Sequence, residues 1–148
     1  MNKRGMTLIE VIVVMVIIAI AAVLFAPNIS AWLPNYRLRG ATRDLVSTMR
    51  TAQMKAVSTN LTYPVSFTTA ASYILQYRNT AGTWVNEGVT QNLPTGVSFS
   101  SINFTGNNAV FNPNSTSSSG SLKLQNTRGT QRQLTLTPST GRVTITTP

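Results

Sequence analysis

Three carboxylates and twelve basic side chains make up the charged inventory of this 148-residue sequence. The acids are Glu10, Asp44 and Glu87, and neither histidine nor cysteine is present. Their absence removes the usual nucleophile–base pairs and most zinc and iron ligand sets. It also rules out a disulfide framework. One of the three carboxylates, Glu10, lies in an apolar run, which leaves little from which to build a paired acid–base site. These residues imply no catalysis, no metal and no cofactor. What remains is charge: a formal net +9 can attract nucleic acid, anionic lipid or an acidic protein. Lys123, Arg128, Arg132 and Arg142 are the residues a phosphate-binding mode would use, and such binding would weaken steeply with salt.

Glu10 needs an explanation, because a carboxylate at the edge of a continuous apolar helix is costly to bury without a partner. Val11 to Tyr36 holds no Asp, Glu, Lys or Arg. At about 1.5 Å per residue, a helix from Met6 to Ala26 reaches about 30 Å, the thickness of a bilayer's hydrocarbon core. Trp32 follows this stretch, as an interfacial anchor would. Pro27 and Pro34 each lack an amide donor and crowd the preceding turn, which predicts a kink or local opening at each.

From Arg37 onward the apolar residues Leu38, Ala41, Leu45, Met49, Ala52 and Ala56 recur at helical spacing, while Arg37, Arg39, Arg43, Arg50 and Lys55 fall largely off that stripe. The pattern predicts an amphipathic helix over about 35–59. After Asn60 come short Thr-, Val-, Tyr-, Phe- and Ile-rich runs between turn residues, the signature of antiparallel sheet. The expected strands are 63–67, 73–77, 83–85, 97–99, 109–111, 121–124, 134–137 and 143–146. Residues 80–82 and 138–141 read as turns, and 112–121 as an exposed loop. Trp84 is expected in the core.

The N-terminus Met1-Asn2-Lys3-Arg4-Gly5, followed directly by Met6-Thr7-Leu8-Ile9-Glu10-Val11, resembles the prepilin signature of type IV pilins and type II secretion pseudopilins. Further along, an Arg-x-Ala-x-x-x-Leu-type helical segment, Phe111-Asn112-Pro113-Asn114 before a Gly-bearing strand, and Gly141-Arg142-Val143 at the last strand are similar to the GspH/FimT-like minor pseudopilins. The resemblance covers nearly the whole chain. It implies an α+β fold, with a long N-terminal helix packed on an antiparallel, two-sheet globular domain. It divides the chain into a leader (1–5), a transmembrane and filament-core helix (6–33) and a periplasmic domain (34–148). A prepilin peptidase would cut between Gly5 and Met6 and methylate the Met6 amine, a position where the family usually has Phe. Glu10 would guide filament assembly by meeting a neighbour's N-terminal amine, and Pro27 would mark a kink or local melting.

The function so implied is that of a structural subunit and not an enzyme: a minor pseudopilin of the type II secretion pseudopilus, held in the bacterial inner membrane. Its partners would be other pilin or pseudopilin subunits, the peptidase, the inner-membrane assembly platform and membrane lipid. No Gly-x-x-x-x-Gly-Lys-Ser/Thr loop is present, so a separate ATPase would drive extrusion. An alternative is a type IV pilus minor pilin serving initiation, adhesion or motility. A further class, DNA capture in natural transformation, falls short of its pattern, because Thr144 stands where DNA-binding relatives carry a second arginine. Two signals oppose the prepilin reading. Ala19-Ile20-Ala21 offers a secretory cleavage site, but Glu10 would then burden the apolar region and the run continues beyond the cut. Arg37, Arg39 and Arg43 outnumber Lys3 and Arg4, against the positive-inside rule; the processing motif is the more specific signal.

Overall fold

The computed structural model describes residues 6–147, with the side chains of 24–31 outside the description. Gly5 and the expected leader therefore lie outside the described residues. The chain divides into two units, Met1–Leu33 and Pro34–Pro148.

Helix α1 runs Leu8–Thr59, and its bounds take in both Pro27 and Pro34. The side chain of Pro27 lies outside the described residues. Within the first unit, the apolar side chains from Leu8 to Val23 are exposed all round the helix, apart from half-buried Ala21. Among the described residues no helix is long and apolar enough to cross a membrane.

In the second unit, α1 buries Leu38, Ala41, Leu45, Met49, Ala52 and Ala56, the stripe that the spacing predicted. Thr42 and Val46 widen it. Thr42 is tolerated there because its hydroxyl donates to the Leu38 carbonyl at 2.6 Å, leaving no unpaired polar hydrogen. The helix stops where Asn60 takes a left-handed conformation, φ 58°, a common way to end a helix.

Nine strands follow: β1 Tyr63–Thr69, β2 Ser72–Arg78, β3 Trp84–Asn86, β4 Gln91–Asn92, β5 Val97–Asn103, β6 Asn108–Phe111, β7 Gly120–Asn126, β8 Gln131–Thr137 and β9 Arg142–Thr146. One sheet has the order β3-β2-β1-β6, with β4 also on β2; the other has β5-β7-β8-β9. All pairings are antiparallel. The helix stripe shares one core with Tyr63, Val65, Phe67, Tyr73, Leu75, Ala109 and Phe111 of the first sheet and Val97, Phe99, Leu122, Leu124, Leu134 and Leu136 of the second. The second unit is therefore an α+β domain, a helix packed on two antiparallel sheets.

Two expectations need correction. Trp84 is half exposed on β3, with the Arg78 guanidinium 5.6 Å from its ring centre; a short edge strand has no second layer to cover it. Residues 112–121 are tied down and do not form a free loop. Ser117 bridges to Phe111 and is buried, Ser118 accepts from the Val110 amide at 3.0 Å, and β7 starts at Gly120.

Candidate functional site

Glu10 sits in the first turn of α1. Its amide donates to the Thr7 hydroxyl at 3.4 Å and to the Thr7 carbonyl at 3.1 Å, so Thr7 caps the helix. Thr7-x-x-Glu10 has the spacing of a capping box, and a carboxylate there also complements the positive end of the helix dipole. That signal was present in the sequence beside the processing motif. Glu10 is exposed, as is Met6, and both precede a helix surface of Val, Ile, Leu and Met side chains. A helix apolar on every side is stable only against lipid or other apolar surfaces.

The four basic residues near the C-terminus are not brought together. Lys123 pairs with Gln133 and lies on the outer face of its sheet, because its neighbours Leu122 and Leu124 are the buried ones. Arg132 is in register with Leu124, on the inner face, and lines a recess of about 230 Å³ with Asn35, Leu38, Arg39, Thr130 and Thr147. Arg128 belongs to the β7–β8 turn, whereas Arg142 opens β9 opposite Thr137, at the far end of β8. Six strand steps, about 20 Å, separate those ends.

Three contacts fix the domain's loops to its helix. Asn126, itself buried, donates to Asn35 Oδ1 at 2.8 Å and accepts from the Arg128 and Thr130 amides at 3.0 Å each. Arg37 donates to the Thr95 carbonyl at 3.0 Å. Gln53 donates to the Thr140 carbonyl at 2.8 Å, in the β8–β9 turn. Gly141 follows with φ 63°, and a Cβ there would come within 2.6 Å of the Gln53 side chain. The Gly141-Arg142-Val143 run thus has a local steric reason for its glycine.

Lys55 forms an ion pair with Glu87, which raises the lysine pKa above its ordinary 10.5. Burial lifts the Tyr73 hydroxyl above 10.0; a hydrogen bond with Thr48 opposes that rise and the Asp44 charge adds to it. No group of three or more metal-ligating side chains occurs among the described residues.

This architecture and N-terminus define a pilin-like subunit. The prokaryotic N-terminal methylation motif matches residues 1–26, and the family described as type II transport protein GspH matches residues 41–141. The chain belongs to that GspH family. Its members are structural subunits, and this chain is not an enzyme. The fold is similar to that of the minor pseudopilin EpsH from the type 2 secretion system of Vibrio cholerae, with a TM-score of 0.64 at 8% identity, covering 76% of this chain and 98% of that one. It is also similar to the type IV minor pilin FimU of Pseudomonas aeruginosa, with a TM-score of 0.60 at 13% identity, covering 76% and 90%. No curated protein matches the sequence.

Proposed function

We propose that the chain is a minor pseudopilin of a type II secretion pseudopilus. In this reading a peptidase cuts after Gly5 and methylates Met6. Segment 6–33 anchors the protein in the inner membrane, and domain 34–148 lies in the periplasm until the subunit joins a filament. The observation that carries the proposal is the helix exposed and apolar on all sides from Leu8 to Val23, with Glu10 in its first turn, on a chain of the GspH family. Burying one such Val, Leu or Ile stabilises by about 1.5–3 kcal/mol, so the helix favours lipid first and neighbouring subunit helices afterwards. Glu10 then pairs with the N-terminal amine of an adjacent subunit, a contact whose energy grows as water is excluded. Pro27 gives the helix a place to open during that transfer.

The test is the mass and N-terminal sequence of the protein recovered from its native membranes. A chain starting at methylated Met6 supports the reading; a start near Ala22 or at Met1 overturns it. Replacing Glu10 with Ala should leave the domain's thermal unfolding unchanged and impair incorporation into filaments, read by shearing and immunoblotting. Normal incorporation at native expression would refute the role given to Glu10.

A second reading, a type IV pilus minor pilin, is favoured by the FimU likeness. Deleting the chain's gene distinguishes the two: loss of exoprotein secretion with intact pili supports the first, and the converse supports the second. DNA capture is disfavoured by the scatter of Lys123, Arg128, Arg132 and Arg142 over two faces and two ends of a sheet. Tight binding that collapses with added salt would restore it.

A further inference from the structure

Arg39 of α1 and Arg132 of β8 line one recess of about 230 Å³ with Asn35, Leu38, Thr130 and Thr147. We propose that this recess holds the phosphodiester group of an anionic phospholipid at the periplasmic surface of the membrane. This rests on the reading above that segment 6–33 anchors the chain in the inner membrane.

The placement of the two guanidiniums carries the argument. Arg132 shares the inner face of β8 with Leu134 and Leu136, both buried, so it continues an apolar row into a half-buried position. A charge there is costly unless something pairs with it. Neither Arg132 nor Arg39 has a hydrogen bond or ion pair among the described residues, whereas Arg37, on the same turn of the helix as Arg39, donates to the Thr95 carbonyl. Asn35 has its Oδ1 engaged by Asn126 and keeps its own amide hydrogens. Each guanidinium brings N–H donors and no acceptor, and no carboxylate lines the recess. The matching ligand is made of acceptors. A phosphodiester presents two unprotonated oxygens in the fork geometry that a guanidinium recognises. With no carboxylate to receive the cation of a zwitterionic headgroup, the lining favours a lipid of net negative charge.

Position along the chain selects a lipid among the possible anions. The uncharged run from Val11 to Tyr36 covers about 39 Å at the helical rise, close to the 40–45 Å or so of a bilayer with its headgroups. Arg37 and Arg39 are therefore the first charges beyond it, at the level where lipid phosphates lie, and basic residues beside a span are drawn to an anionic surface. Arg132 is remote in sequence and joins Arg39 at that level only through the fold of the domain.

The test inserts the full chain in phosphatidylcholine nanodiscs, raises the mole fraction of phosphatidylglycerol, and follows backbone amide shifts by NMR. Shifts at Thr130, Arg132 and Thr147 that saturate with phosphatidylglycerol are the expected result. Arg132→Gln should raise the mole fraction at half-saturation about five- to tenfold. Arg39→Gln should do the same from an exposed helix position, which keeps the proposal falsifiable if Arg132→Gln loosens the sheet. Lys123→Gln removes the same charge from the outer face of β7 and should leave half-saturation unchanged. An equal loss in Lys123→Gln, no effect of either arginine change, or the same shifts in pure phosphatidylcholine discs on adding inorganic phosphate or an acidic peptide would overturn the proposal. A chain that does not enter phosphatidylcholine discs fails the anchor reading, whereas one that enters them and ignores phosphatidylglycerol fails this inference alone.

Discussion

The two parts of α1 obey different solvents. From Leu8 to Val23 the helix is apolar on every side and exposed. From Pro34 to Thr59 only one stripe is apolar, and it is buried to the point that Leu45, Ala52 and Ala56 have no accessible surface. The second part is explained by its own domain, since Tyr63, Val65, Phe111, Leu124 and Leu134 cover that stripe. Nothing within the described first unit covers the first part. A helix earns its stability in water from a one-sided pattern and in lipid or a helical bundle from an all-round one, so the change of pattern marks where the chain passes from a foreign environment to its own core.

The contrast is broken most strongly at Leu45. Truncating Leu45 to Ala removes side-chain contacts from a site with no exposure and should destabilise the domain by about 2–5 kcal/mol, read as a lowered urea midpoint. The matched change Ile12→Ala, at a half-exposed position, should shift the same midpoint by less than about 0.5 kcal/mol while weakening retention in membranes. Equal effects on the midpoint would mean that the first part of the helix belongs to the domain's core after all. A smaller effect is expected at Gly120, where a Cβ would lie 2.3 Å from Phe104 Cδ1 and 2.5 Å from the Asn103 carbonyl oxygen. Gly120→Ala should cost about 1–3 kcal/mol in the same measurement through forced displacement of that ring and strand. A neutral result would show that β5 and β7 can separate without loss.

Periodicity made the helix stripe and eight of the nine strands legible, because Leu38 to Ala56 keep a helical step and Tyr73, Leu75 and Tyr77 keep a sheet step. It could not reveal β4: Gln91 and Asn92 are polar, exposed and only two residues long, and they pair with β2 for reasons of backbone position alone. Trp84 misled because residue type predicts burial only where a second layer exists to cover it. For the basic residues, the chain order of Lys123, Arg128, Arg132 and Arg142 suggests a patch. The register of β7 with β8 instead sends Lys123 and Arg132 to opposite faces, and no reading of residue types supplies that register. The meeting of Asp44 and Glu87 was illegible for the same reason, since the packing of α1 against the first sheet brings them to one cavity.

The smallest expected effect sharpens the comparison on its second side, because Lys55 and Tyr73 are titrating groups where the domain's helix meets its sheet. Glu87 raises the pKa of Lys55 above 10.5, and burial raises that of Tyr73 above 10.0. In both cases the folded domain holds the proton more tightly than the unfolded chain does. The stabilisation is therefore complete below pH 10 and is lost as pH rises through the raised folded values. Lys55 is more than a third exposed, so solvent screening keeps its share small. Urea midpoints should stay level from pH 7 to about pH 9.5 and then fall, with Tyr73→Phe flattening most of the decline because burial and not screened charge sets the larger part. A decline unaltered by Tyr73→Phe would place its origin elsewhere, and a rise in stability above pH 10 would reverse the sign of both assignments.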